Sequence, residues 1–394
     1  MTEAMRDPWV VRQHLLSVLN FYYPDCIDRR YGGYVAQLDE RDGHVYDGAT
    51  KHLVATCRGI VNFSLGTVRD GPDWCRPAAE HGLRFLLDAH RDRERGGFDW
   101  ILEGRTPVDD TRYCYGHAFA LLACSRATEA GITGAEEALD ETYDLLVDRF
   151  WVDDHDLCRT EATPRWEFTE YRGQNSNMHA CEALLAAYEA TDEERYLDRA
   201  YRIATTLVHE LAAKTDGRIW EHFTPDWEPD LEYNRDQPRH QFRPWGFQPG
   251  HHAEWAKLLC QLAAHRAEDW LVERAEEVFA FAVDEGWDDD RGGFYYTLDE
   301  AGDPVVDDKY GWAVAEAIGA AASLARMTGR EKYWPWYDEF WAYARENVIN
   351  PKYGNWYERL SAANERYEEH ASPEVEPGYH PVNNAAVAID TLKR

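Results

Sequence analysis

The chain is predicted to be all-α, a toroid of six helix pairs with short β-hairpins over one end. Three observations predict it. A Gly/aromatic hairpin followed by an apolar helix recurs six times at a spacing of roughly 60 residues, and self-similarity at such a period marks a repeat architecture. The helix of each unit is apolar nearly all round, which marks a buried helix. Between the units lie amphipathic segments carrying the charge, so an inner ring of helices is surrounded by an outer one. No linker or low-complexity stretch interrupts the pattern, and residues 1–394 are read as one domain.

The units follow in order. The first hairpin opens at Tyr31-Gly-Gly-Tyr and leads into a helix containing Lys51 and Arg58. The second opens at Arg95-Gly-Gly-Phe and leads into 115–126, with Phe119, Leu121, Leu122 and Cys124 among small alanines. A third, weaker copy begins near Asp154 and feeds helix 177–188; a fourth begins at Asp216-Gly and feeds the helix after Gly250. The fifth, from Arg291-Gly-Gly-Phe, alternates through 294–298 to a turn at Ala301-Gly302-Asp303, a hairpin signature, and feeds 313–324. The sixth runs from Tyr353-Gly to a helix after Gly378. Outer helices are expected at 77–90, 135–149, 193–211, 270–283 and 331–348.

Composition narrows the function. A formal charge of −31, from 73 acidic and 42 basic residues, repels phosphate backbones and argues against nucleic acid and anionic membranes. Only seven of the basic residues are lysines, an acid-rich, lysine-poor pattern that looks halophilic, with stability expected to fall at low salt. Eight cysteines form no CxxC pair, and Cys57, Cys124, Cys181 and Cys260 sit inside apolar helices, as buried thiols do. The N-terminal segment lacks the basic and apolar regions of a secretory signal, and no apolar run approaches a membrane span. A cytoplasmic location is expected.

Polar residues cluster at the start of the inner helices: Lys51 and Arg58; Tyr115 and His117; Asn175 and His179; His251 and Glu254; Lys309, Trp312 and Glu316; and His380. Histidines keep the same phase in four of the six units, which independent core histidines would not be expected to do. His251 and Glu254 are three apart and share a helix face. They could form a metal pair, or a histidine oriented by a carboxylate for proton transfer. No HExxH, CxxC or second ligand cluster accompanies them, so the expectation is no metal and no cofactor. His252 is expected to point away. Trp220, Trp245, Trp312 and Trp356 offer flat surfaces for a sugar ring, one or two of them touching it.

Over nearly its whole length the chain resembles the N-acylglucosamine 2-epimerase superfamily. The resemblance rests on Lys51…Arg58, Tyr115-Gly-His117-Ala-Phe119, Asn175-Ser-Asn-Met-His179, Gly250-His251-x-x-Glu254-Trp255 and Gly378-Tyr-His380-Pro. It implies an (α/α)6 barrel performing reversible chemistry at C2 of an aldose without a redox cofactor. His380 would be the base at C2, His251 would serve ring opening or proton transfer among the oxygens, and Arg58 would steady the enediol oxyanion. Tyr115, Asn175 and His179 match sugar-binding positions, while Glu254 and Glu316 match carboxylates that orient histidines or hold hydroxyls. His117, Trp312 and Lys309 complete the expected sugar contacts.

Tyr233-Asn-Arg235-Asp, Phe242-Arg243-Pro-Trp-Gly and Tyr171-Arg-Gly resemble the isomerase branch. The expected reaction is therefore D-mannose to D-fructose, or D-lyxose to D-xylulose, through a cis-enediol. The alternatives are a sugar 2-epimerase, or a sulfoquinovose isomerase with Arg235 or Arg243 as the extra cation. Two rivals lie outside this chemistry: a glycoside hydrolase using pairs such as Asp109/Asp110 with Glu316 or Asp307/Asp308, and a non-catalytic sugar binder. The expected partner is a monosaccharide, with a homo-oligomer left open.

Overall fold

The computed structural model describes residues 2–240, 242–367 and 375–393. Twelve α-helices are present among them: α1 (Pro8–Tyr22), α2 (Leu53–Val68), α3 (Cys75–Phe85), α4 (Cys114–Glu129), α5 (Ala135–Arg149), α6 (Gln174–Thr191), α7 (Glu194–Ala204), α8 (Pro249–His265), α9 (Asp269–Asp284), α10 (Gly311–Thr328), α11 (Tyr333–Tyr343) and α12 (Tyr379–Leu392). The even-numbered helices form the inner ring and the odd-numbered ones the outer ring. Burial follows the sequence pattern: nearly every residue from Gln174 to Ala187 of α6 is buried. In α7, by contrast, only the stripe Tyr196, Leu197, Ala200, Ile203 and Ala204 is covered.

The ring closes through the chain's two ends, since α12 packs on α10 and α2 and is backed by α1. This α1 is the sixth outer helix, for which the repeat pattern gives no segment because it precedes the first hairpin. Asp7 caps it by accepting from the Trp9 N–H, with Pro8 at the first helical position. Three outer helices run on into wider turns at 86–90, 205–211 and 344–348. There Arg91 N–H bonds Leu86 O and Ile349 N–H bonds Ala344 O. These extensions account for the ends expected at His90, Leu211 and Val348. All eight cysteines are buried and unbridged, and no described helix is long and apolar enough to cross a membrane.

The hairpins form a girdle over one end. The lead-in to an inner helix pairs with the hairpin of the next unit: Thr50–His52 with Ile101–Glu103, Arg112–Tyr113 with Glu161–Ala162, Arg172–Gly173 with His222–Phe223, and Lys309–Tyr310 with Arg359–Leu360. Phe247, before α8, pairs with Leu298 in the same way.

A repeated ion pair pins the turns. Asp28, Asp92 and Asp288 each accept two backbone N–H groups of their own turn through Oδ1. Their Oδ2 atoms meet Lys51 at 2.6 Å, Arg112 at 2.6 Å and Lys309 at 2.8 Å respectively. These pins thereby fix where α2, α4 and α10 start.

Candidate active site

A cavity of about 390 Å³ opens where the inner helices begin, within the usual size of small-molecule pockets. Arg58, Tyr115, Asn175, His179, His251, Glu254, Trp312 and His380 all line it. Helix phase explains why these residues converge. Arg58, His179, Glu254 and Glu316 are each the sixth residue of α2, α6, α8 and α10. One turn nearer the mouth, Tyr115, Asn175, Trp312 and His380 are each the second residue of α4, α6, α10 and α12. Residues four apart share a face, so the helices present two tiers to one space. Gly250 permits the upper tier: a Cβ there would sit 2.5 Å from the Trp312 ring.

Three imidazoles in this wall share one device. His380 Nδ1 is 2.7 Å from Glu316 Oε1, His251 Nδ1 is 2.8 Å from Glu221 Oε1, and His179 Nδ1 is 3.0 Å from Glu182 Oε2. A carboxylate on Nδ1 fixes the ring and leaves Nε2 as the nitrogen for a ligand. On His380 that nitrogen faces Arg58 Nη2 at 3.3 Å and Glu376 Oε2 at 3.4 Å. The Arg58 guanidinium also donates to the Tyr115 hydroxyl at 3.2 Å and pairs with Glu376 at 2.9 Å. It lies over the Phe119 and Tyr379 rings, a cation–π setting that suits arginine. The Trp312 indole flanks both outer imidazoles, 5.2 Å from His251 and 5.6 Å from His380.

Electrostatics divides the acids. Burial raises the Glu254 carboxyl well above its ordinary value, and Glu316 and Glu182 nearby raise it further. Neither Glu254 oxygen has a hydrogen-bond partner among the described residues, so it is free to bond a sugar hydroxyl. For Glu316, burial acts upward, but the Lys257 ammonium and the His380 bond outweigh it and hold the group low. Glu182 is likewise low, against the cost of burial, through His179 and Lys257. His179 falls to about 4, chiefly by burial, and is neutral at ordinary pH.

Two groups, His179–Glu182–Glu254 and Glu254–Glu316–His380, bring potential metal-ligand atoms within 4.8 Å of one another. Their charge is met inside the protein, because Lys257 bonds Glu316 and lies 4.0 Å from Glu182.

Several expectations need correction. His251 is held by Glu221, not by Glu254. Glu316 does not line the cavity as a sugar contact; fully buried behind His380, it takes the other role expected of it and orients that ring. His117 does not reach the cavity: its Nδ1–H donates to Tyr113 O, and Nε2 accepts from Phe98 N–H. His252 repeats this pattern with Gln248 O and Ile219 N–H, and Asn177 uses its amide in the same way on Gly173 and Cys158. All three are the fourth residue of their inner helix, so a structural side chain also keeps phase with the repeat. Lys309, like Lys51, pins its hairpin aspartate instead of meeting the cavity. Arg235 and Arg243 are engaged with Glu232 and Glu161 and do not line the cavity. Of the four tryptophans, only Trp312 lines it.

Sequence reasoning missed Glu221, Gln174, Lys257 and Glu376. Glu221 lies in a hairpin, 30 residues from its histidine, and no spacing rule links the two.

A prediction separates the two classes of residue. Lys309→Met would strand the buried Asp288 carboxylate, costing about 3–5 kcal/mol. Thermal melts should fall by several degrees while KM for substrate stays within twofold.

Comparison with known proteins places the chain in a family. The family model described as N-acylglucosamine 2-epimerase matches residues 32–384. A D-mannose isomerase of Marinomonas mediterranea is 39% identical, covering 96% of this chain and 96% of its own. One from Thermobifida fusca is 43% identical, covering 78% and 77%. A crystal structure of a D-mannose isomerase superposes with a TM-score of 0.95 at 38% identity, covering 98% of both chains. A cellobiose 2-epimerase from Bacillus thermoamylovorans shares the fold, with a TM-score of 0.82 at 19% identity over 96% of this chain and 98% of its own. The chain belongs to the N-acylglucosamine 2-epimerase family.

Proposed function

We propose that this protein is an aldose–ketose isomerase interconverting D-mannose and D-fructose by proton transfer through a cis-enediol. The observation that carries the chemistry is His380: its Nδ1 is bonded to Glu316, and its Nε2 lies beside the Arg58 guanidinium. A C2 proton is weakly acidic and leaves only if charge forming on the sugar oxygens is stabilised. Arg58 supplies a fixed donor in a buried wall for that purpose. His380 Nε2 takes the proton from C2 and, after exchange with solvent, delivers a proton to C1 on the same face of the enediol. His251, across the Trp312 ring and oriented by Glu221, serves ring opening. Glu254, with both oxygens unpartnered, holds a sugar hydroxyl. Asn175, Tyr115 and His179 bind the remaining hydroxyls. Imidazoles held by carboxylates favour this reading over hydrolysis, which would rest on a carboxylate pair at the scissile bond.

The sequence similarity favours mannose isomerisation over 2-epimerisation, since the epimerase relatives are more distant. A halophilic surface and a cytoplasmic location belong to the same reading and rest on composition alone.

Proton NMR of the protein with D-mannose, with and without EDTA, tests the proposal. EDTA-resistant appearance of fructose supports it. Glucose without fructose would move the chain to the epimerases, and absence of turnover would overturn the substrate.

Arg58→Met should lower kcat by about 100- to 1,000-fold, the usual loss on removing an oxyanion donor, with KM changed only a few-fold. Steady-state kinetics on mannose checks it.

A further inference from the structure

Lys257 has no part in the chemistry above, yet it is 1% exposed at the floor of the site. Burying an ammonium costs several kcal/mol unless it is well paired. Its two partners are the carboxylates that hold catalytic-wall imidazoles: it bonds Glu316 Oε2 and lies 4.0 Å from Glu182 Oε1. One ammonium therefore spans the His380–Glu316 and His179–Glu182 pairs. Asn384 donates to Glu316 at 2.7 Å, while Asn383 and the Tyr379 hydroxyl donate to Glu182 at 3.0 and 2.6 Å. Space is cleared for this arrangement at Gly319, where a Cβ would lie 2.0 Å from Asn384 Oδ1 and 3.3 Å from Lys257 Cδ.

We propose that Lys257 is a positioning residue for the proton transfer: acting through Glu316, it keeps that carboxylate ionised and His380 unprotonated at Nε2. The proposal rests on His380 being the base.

The charged surroundings fix the sign of the effect. His380 is faced by Glu316 from α10, by Arg58 from α2 and by Glu376 from the segment before α12. Beyond these lie Lys257 and Glu254 on α8, Glu182 and His179 on α6, Tyr115 on α4, and Tyr379 beside it. Removing the ammonium takes one positive charge from a floor holding two ionised carboxylates. The His380–Glu316 pair then binds a proton more tightly, whichever atom carries it. A base must be unprotonated, so activity is lost at the acid side first.

The test is the pH profile of kcat/KM on mannose for wild type, Lys257→Met and Lys257→Arg, with Tm recorded for each. In Lys257→Met the acid limb should move up by about 1–3 pH units, the usual effect of one charge at this range. Its kcat at neutral pH should fall at least about tenfold, with KM little changed. Lys257→Arg, which keeps the charge, should return the limb to its wild-type place. If Met does not fold, Lys257→Gln keeps a donor to Glu316 without the charge and replaces it. An unshifted acid limb in the neutral variant overturns the proposal, as does an equal loss in Lys257→Arg. His380→Ala retaining turnover would overturn the underlying assignment instead. An inactive His380→Ala with an unshifted Lys257→Met overturns the role of Lys257 alone.

Discussion

Replacing His380 with alanine is expected to lower kcat by about 100- to 10,000-fold, the range for loss of a general base, with the fold intact. The structural argument is specific. His380 is the second residue of α12, packed between Trp312 and Tyr379. Its deletion leaves Glu316 still bonded to Lys257 and Asn384, so no buried carboxylate is stranded and Tm should shift little. His117→Gln is the matched control. That residue is equally buried but bonds only backbone, so it should lose stability and keep kcat. Kinetics and melts on the two variants read the contrast. Comparable losses of kcat in both would contradict the assignment.

The second large effect is acid unfolding. His52, His90, His117, His179, His222 and His252 are buried, His14 is partly so, and all seven are held at about 3 to 4, in each case chiefly by desolvation. Each is neutral when folded and takes up a proton near pH 6.5 when unfolded. The unfolded state therefore binds more protons, and stability falls as pH drops below 6.5. At pH 5 each contributes a loss of about 2 kcal/mol, and seven together are comparable to the roughly 5–15 kcal/mol of a typical fold.

Four acids oppose the trend, with Glu254 and Asp99 among them, both raised chiefly by burial. Burial raises Glu40 to about 8 and Glu358 to about 7. The stabilisation from these acids, present at low pH, is lost as pH rises through their folded-state values, and four groups offset only part of seven. Glu182, Glu221 and Glu316, held low, give way only below the ordinary carboxylate range. Circular dichroism at fixed temperature from pH 7 to 4 should show cooperative unfolding well above pH 4. A protein fully folded at pH 4.5 would contradict this.

The fold was legible because each unit repeats both a turn and a helix with a known burial period. The Gly-Gly hairpins and the all-apolar helices placed five outer and six inner helices, but α1 was invisible as a ring member. It has no hairpin before it, and its partner α12 lies at the other end of the chain. The site was legible wherever helix phase carries it: Arg58, His179, Glu254 and His380 fall on two tiers of inner helices. Phase failed at His117, because in α4, α6 and α8 a polar side chain at the fourth helical residue ties the hairpin down, and histidine serves there too. Phase also failed for Glu221, which comes from a hairpin and displaces Glu254 as the partner of His251. Lys309 misled for a related reason: the residues before an inner helix serve the girdle before they serve the cavity.

The most direct test of the central claim is deuterium incorporation during turnover. D-mannose is converted in D2O by wild type and by His380→Ala, and the fructose is read by NMR. Proton transfer through an enediol on one face of the sugar predicts solvent deuterium at a single C1 position of the fructose formed by wild type, and no exchange in the variant. Fructose formed by wild type with its C1 hydrogens fully retained, or undiminished exchange by His380→Ala, would contradict the account.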